Sequence, residues 1–241
     1  MPFELDPGET VIAEAGAMNY MEKGSLLMRD VSGTVDVTDP QSVCAAVLAI
    51  FKRRYPGQDF RIIQHVYEDF AALYRGELTG FLACDTSYHN IQHVLDVSLA
   101  MARLLDGYDA SHQGDDVLGA ELAIIGMIVA LFHDSGYIRR ANETNIKHGA
   151  EYTKIHVSRS ARFMAEYLPL IGREDIIGLT AKLVHFTGYE FTPDQIDLDD
   201  PKLRTVGCLV GTADVIAQMA GSFVPRIRMG GRCPAKIPGR F

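Results

Sequence analysis

The chain has little cysteine. Its four cysteines, Cys44, Cys84, Cys208 and Cys233, are scattered through 241 residues and form no CxxC pair. That spacing argues against a cysteine zinc site and fits reduced thiols in a cytoplasmic protein. Positive charge is also scarce, with 23 Lys and Arg against 31 Asp and Glu and a net charge of −8. A general nucleic-acid binder needs a basic face, so that class is set aside. An acidic chain can still bind phosphate, because a metal ion reverses the local potential. The opening residues Met-Pro-Phe-Glu-Leu-Asp have neither a basic n-region nor an apolar h-region, and no signal peptide is expected. Long apolar runs are missing too. The longest, residues 120–132, contains Glu121 and falls short of the roughly 20 residues that cross a bilayer. It reads as a buried helix of a soluble protein with no membrane partner. No internal repeat is evident, and strand-like alternation stops after residue 40.

What is present divides the chain in three. Residues 1–38 are rich in Gly and β-branched residues and form an irregular or β-like N-terminal extension, in which residues 31–38 alternate like a short strand. Residues 39–221 are an all-α body. Asp39-Pro40 supplies an N-cap and an N1 proline, and Pro56-Gly57 stops the first helix. A second helix spans residues 61–75 and ends at Gly76. A third carries His89 and His93 and runs on to Gly107. A fourth, residues 117–134, is apolar nearly all round and should be the centre of the bundle. Further helices are expected over residues 145–167, 173–185 and 201–220. Residues 222–241 hold five Lys or Arg, three Pro, three Gly and no acid, the composition of a basic flexible tail.

The chemistry gathers on separate helices. His89 and His93 are four apart, which on a helix stacks them on one face. His133-Asp134 ends the apolar fourth helix, and an Asp is rarely buried unless it is paired or holds a metal. Asp214 sits on another apolar helix, while His156 and His185 lie within or at the ends of two more. Ligands from facing helices are a recurring way to build a metal site in a bundle. His93, His133, Asp134 and Asp214 give four donors with two negative charges. Mixed nitrogen and oxygen suits Zn, Fe or Mn, whereas Mg prefers oxygen. Gln218, four residues after Asp214, and Tyr189 are candidate substrate-binding residues. Arg139, Arg140, Lys147, His148, Arg159 and Arg162 could meet a substrate phosphate. Asp96 could orient an imidazole through its free N–H.

The order His93, His133-Asp134, Asp214 resembles the signature of the HD superfamily of metal-dependent phosphohydrolases. The stretch Tyr88-His-Asn-Ile-Gln-His-Val-Leu-Asp-Val97 is similar to the His-Asn-x-x-His motif of cyclic nucleotide phosphodiesterases. The resemblance spans about residues 60–220. It implies an HD-type helical bundle with one or two divalent ions (Zn, Mn, Fe or Mg) and a small phosphoester or nucleotide substrate. It further implies that His93 is a ligand and His89 the general acid, with Asp134 also catalytic through metal-activated water. Where phosphodiesterases carry a further His, four positions after the first His of His-Asp, this chain has Tyr137. The segments around His156 and His185 are similar to the two-metal HD-GYP branch, which implies these two as ligands of a second ion. Residues 3–24 resemble the start of an unrelated β-rich family related to the tryptophan-attenuation fold. Two other functions stay open: a di-iron HD-type oxygenase, and a catalytically weak metal-binding regulatory domain.

Overall fold

The computed structural model describes residues 20–21, 28–30 and 32–222. The segment resembling a β-rich family, apart from Tyr20–Met21, and the basic tail after Ser222 lie outside the described residues. Among the described residues seven helices make an all-α fold. They are α1 (Pro40–Arg54), α2 (Arg61–Arg75), α3 (Ile91–Ser111), α4 (Gly119–Phe132), α5 (His156–Tyr167), α6 (Ile177–Leu183) and α7 (Pro201–Ser222). Among the described residues the extended structure is slight: Tyr20–Met21 pairs antiparallel with Met28–Arg29, and two isolated bridges join other segments.

The capping signals act as expected at several ends. The Asp39 carboxylate accepts from the N–H groups of Gln41 (3.3 Å) and Ser42 (3.0 Å), with Pro40 starting α1. After α2, Gly76 takes φ 73°, and a Cβ there would stand 2.5 Å from the Ala83 nitrogen. Glycine is required at that close approach. The α3 start differs from the expectation. Asn90 is the N-cap and accepts from the His93 N–H at 3.1 Å, so α3 begins at Ile91 and His89 lies outside it.

Residues 31–38 do not form the expected strand; Val31 is outside the described residues, and the rest fold into a loop around Asp30. The buried Asp30 carboxylate accepts from the Ser32 hydroxyl (2.6 Å) and from the N–H groups of Thr34 (3.1 Å) and Val35 (2.9 Å). Arg103 of α3 pairs with the same carboxylate. Val35 and Val37 then enter the core, and the Val37 carbonyl accepts from Gln92 at 2.7 Å. A single buried carboxylate with several donors outcompetes the ladder that alternation alone would favour.

α4 is the central element, buried without a break from Ala123 to Phe132. Residues Gly114–Tyr137 are long and apolar enough in composition to cross a membrane. The helix within them has 14 residues, about 21 Å, against a hydrocarbon core of about 30 Å. α3 packs on α1, α4 and α7, and α4 packs also on α2. In α7 the missing side chains of Gly207 and Gly211 admit Phe186. A Cβ on Gly211 would lie 2.5 Å from the Phe186 carbonyl oxygen.

The expected helix over residues 145–167 begins only at His156. Before it, Gly149–Tyr152 form one 3-10 turn. The Gly149 N–H donates to Asp85 at 2.8 Å, and a Cβ on Gly149 would lie 2.4 Å from the Tyr137 carbonyl. That anchorage to a distant loop holds the turn out of the helix. The expected helix over residues 173–185 is likewise split, with α6 flanked by 3-10 turns at Glu174–Ile176 and Val184–Thr187.

Candidate metal centre

Four elements bring side chains to one buried volume: the first turn of α3, the end of α4, the start of α5 and the middle of α7. His93 Nε2 lies 3.1 Å from Asp214 Oδ1 and 3.5 Å from Asp134 Oδ2. His133 Nε2 lies 3.3 Å from Asp134 Oδ2 and 3.7 Å from Asp214 Oδ1. All four residues are buried. An ion held about 2.0–2.2 Å from nitrogen and oxygen donors separates neighbouring donors by roughly 3–3.6 Å. The spacing therefore suits one common ion.

Two further observations support the fit. The Nε2 atoms of His93 and His133 are buried without a hydrogen-bond partner of acceptable geometry, and buried polar atoms ordinarily have one. The His133 Nδ1–H donates to the Ala130 carbonyl at 2.8 Å, which turns Nε2 towards the carboxylates. Such a backbone partner on the second nitrogen is how a ligating imidazole is usually oriented. Asp96, the sequence candidate for orienting an imidazole, accepts from Gln92 at 3.3 Å.

The charges are strongly coupled. Burial would raise the Asp134 carboxyl, but His133 and His89 hold it well below the usual carboxylate range. Burial opposes ionisation of Asp214 as well, and the adjoining His93 imidazole and the charge of His133 bring it below its ordinary value. Burial would lower His133, yet the Asp134 and Asp214 carboxylates outweigh it and raise the imidazole to about 9. Two buried carboxylates thus attract a cation, and a proton on His133 serves when no metal does.

His89 reaches the cluster from the turn before α3. Its Nδ1–H donates to Asp134 Oδ2 at 2.8 Å. The His89 and His93 rings lie 5.7 Å apart, so the pair meets at one site without sharing a helix face. His89 is 27% exposed, whereas His93 is 5% exposed, which separates a residue at the mouth from one inside.

His156 approaches from the other side, its Nε2 3.9 Å from Asp134 Oδ1 and its Nδ1–H bonded to the Thr153 carbonyl at 2.8 Å. Burial pushes it below its ordinary pKa. His185 is not brought in. Its Nδ1 faces Glu190 at 3.3 Å and its ring packs edge-on against Phe191. Tyr189 is 97% exposed on the following loop, and Gln218 donates to Asp214 Oδ1 at 3.1 Å. Gln218 therefore holds a candidate ligand.

Arg139, Arg140 and Arg159, after His-Asp, are engaged structurally. Arg139 pairs with Asp85 at 2.8 Å and Arg140 with Glu166 at 2.7 Å. Arg159 donates to the Gly136 carbonyl and pairs with Glu143, both at 2.8 Å. A cleft of about 330 Å³ behind the His-Asp turn is lined by Gly136, Arg140, Arg159 and Arg162 but by none of the cluster donors.

Three further residues shape the centre, of which Ser160 and Gly136 are outside the sequence candidates. Ser160 is fully buried; its hydroxyl donates to the His133 carbonyl and accepts from the Gly136 N–H at 2.8 Å. It pins the His-Asp turn to α5, and its position four after His156 was the available signal. Gly136 itself must be glycine, because a Cβ would lie 1.9 Å from the His156 carbonyl oxygen. Tyr137 stacks on the His89 ring, with centroids 4.3 Å apart, and on the His156 ring at 4.5 Å.

Comparison with protein-family models, with curated proteins and with solved structures returns no match to this chain. The helical fold and the buried His/Asp groups, His89/His93/Asp134 and His93/His133/Asp214, are compatible with an HD-type arrangement that could hold a metal ion.

Proposed function

We propose that this chain is an HD-type metal-dependent phosphohydrolase that cleaves a small phosphate ester or phosphodiester. The observation carrying the proposal is the division of labour around Asp134. One carboxylate oxygen faces His93 and His133 inside the fold and also accepts from His89 at the mouth. His93, His133, Asp134 and Asp214 would hold the ion. A bound divalent ion supplies a water made acidic enough to act as a nucleophile near neutral pH, and offsets charge on phosphoryl oxygens.

The chain's own residues do the rest. Asp134 fixes the His89 Nδ1–H, so any proton His89 exchanges with substrate passes through Nε2. That nitrogen has no hydrogen bond among the described residues, and a quarter-exposed ring can meet a leaving oxygen. Tyr137, stacked on the imidazole, restrains its tilt. Gln218 orients Asp214. The Ala130 carbonyl keeps the lone pair of neutral His133 on Nε2.

The test is elemental analysis of the purified protein beside hydrolysis of a panel of phosphomonoesters and phosphodiesters. Asp134→Ala should lose both the metal and the hydrolysis. A variant keeping full metal and activity would sink the proposal. Full occupancy without turnover in the parent protein would leave a metal-binding regulatory domain.

A further inference from the structure

The cleft behind the His-Asp turn, about 330 Å³ in volume, has one wall from α5 and another from two loops. Arg159, Arg162, Phe163 and Glu166 recur three and four residues apart along α5, which puts them on one face. Opposite, Phe81 and Arg140 are bridged, and the Leu82 N–H donates to the Arg139 carbonyl at 2.9 Å. The two loops are thus joined before any ligand arrives. The deep part of the cleft is apolar. Ile138 and Phe163 are buried, and the Phe81 and Phe163 rings meet edge-on with centroids 5.6 Å apart. The Gly136 backbone beside them is already spent, its N–H on Ser160 and its carbonyl on Arg159.

The charges lining the cleft do not cancel. Glu143 accepts from the Arg159 guanidinium at 2.8 Å and from the Arg140 N–H at 2.7 Å. Burial would raise Glu143, yet hydrogen bonds, that of Arg159 foremost, bring its carboxyl from 4.5 down to about 2. Glu166 accepts from the Arg140 guanidinium at 2.7 Å. Each carboxylate therefore has its guanidinium. Arg162, exposed on the same face of α5, has neither an ion pair nor a side-chain hydrogen bond among the described residues. Three guanidinium groups against two carboxylates leave one positive charge in the cleft, in a chain whose net charge is −8.

From this juxtaposition we infer that the cleft binds a small organic carboxylate, with its apolar body against Phe81, Ile138 and Phe163 and its anionic group on Arg162. A guanidinium meets a carboxylate through two parallel N–H···O bonds, a fork geometry that an ammonium lacks. A monoanion balances the surplus charge. A phosphate monoester, nearer −2, would bring an excess of negative charge beside Glu143 and Glu166. The volume is at the low end of the roughly 300–1,000 Å³ usual for ligand pockets and suits a single-ring molecule. None of the candidate metal ligands lines the cleft, so this site stands or falls apart from the proposed hydrolysis.

The experiment titrates the full chain, stripped of metal, with para-fluorobenzoate and follows the probe by fluorine NMR. The neutral para-fluorobenzamide is the control. The carboxylate should bind saturably with a Kd of about 1 mM or tighter, as expected for so small a ligand, and the amide about tenfold or more weaker. Arg162→Gln should weaken the carboxylate by about tenfold or more, the loss of a charge-assisted pair, and leave the amide unchanged. Glu166→Gln removes a carboxylate from the cleft and should tighten the probe severalfold. No saturable binding to the parent protein, equal binding of the amide, or unchanged affinity in Arg162→Gln would each overturn the inference. So would unchanged or weaker binding in Glu166→Gln. Circular dichroism checks that the variants fold; if Arg162→Gln does not, the amide control and Glu166→Gln still decide.

Discussion

His89 and His93 carry the same side chain and sit four residues apart, yet their surroundings differ. His93 is inside the fold with an unbonded Nε2, while His89 is at the mouth with Nδ1 given to Asp134. The two substitutions should therefore have different effects. His93→Ala should lose the bound ion. On the proposed function, His89→Gln should keep it and reduce turnover by about 10²–10⁴-fold, the usual loss when a positioned proton donor is removed. Metal content measured beside kcat checks the pair, and loss of the ion in His89→Gln would make His89 a ligand instead. Gly136 is a residue-scale constraint of another kind. With a Cβ only 1.9 Å from the His156 carbonyl oxygen, Gly136→Ala forces the His-Asp turn off α5. A loss of about 1–3 kcal/mol in a urea melt is expected, as for overpacking elsewhere. An unchanged midpoint would mean that the turn packs differently.

At the scale of elements, two helical glycines make opposite predictions. Gly107 lies exposed within α3, and nothing stands within 4 Å of where its Cβ would be. Gly107→Ala should stabilise the protein by about 0.5–1 kcal/mol through backbone entropy and helix propensity. Gly211 in α7 is the reverse case. Its Cβ would meet the Phe186 carbonyl at 2.5 Å, a backbone atom with little freedom to yield. Gly211→Ala should destabilise by about 1–3 kcal/mol. It should also weaken metal binding, because Asp214 is three residues along the same helix. Thermal melts of both variants, with a metal titration of the second, test whether α7 is seated by that contact.

For the whole molecule, stability in acid depends on the tie between the segment before α1 and the bundle. Burial alone would raise the Asp30 carboxyl. Hydrogen bonds from Ser32 and Val35, together with the Arg103 guanidinium, bring it from 3.8 down to about 2. A depressed carboxylate stabilises the folded state fully above its unfolded pKa and loses that contribution as pH falls through the folded value. The stabilisation, roughly 2 kcal/mol from a shift of this size, should be present above about pH 4 and gone near pH 2. Asp30→Asn should flatten that part of the stability-against-pH curve. A variant whose curve retains the full acid slope would assign the slope to other carboxylates.

Much of the fold was legible in residue order, for a local reason. A helix buries one face every 3.6 residues, so apolar periodicity and caps report α1, α2, α4 and α7 without knowledge of what covers them. The same logic exposed His133-Asp134, since a carboxylate closing an apolar helix demands a partner. Direction was not legible. Asn90 caps the start of α3 one residue after His89, so the spacing of four is real while the shared helix face is not. His185 turns towards Glu190, and Tyr137 lies against two imidazoles from segments 48 and 19 residues away in the chain, differences read from the numbering. The amino-acid order set which side chains had to be buried and which charges needed company. Which atoms face one another across the cluster followed from packing between distant elements, where the turn before α3 brings the His89 imidazole to Asp134.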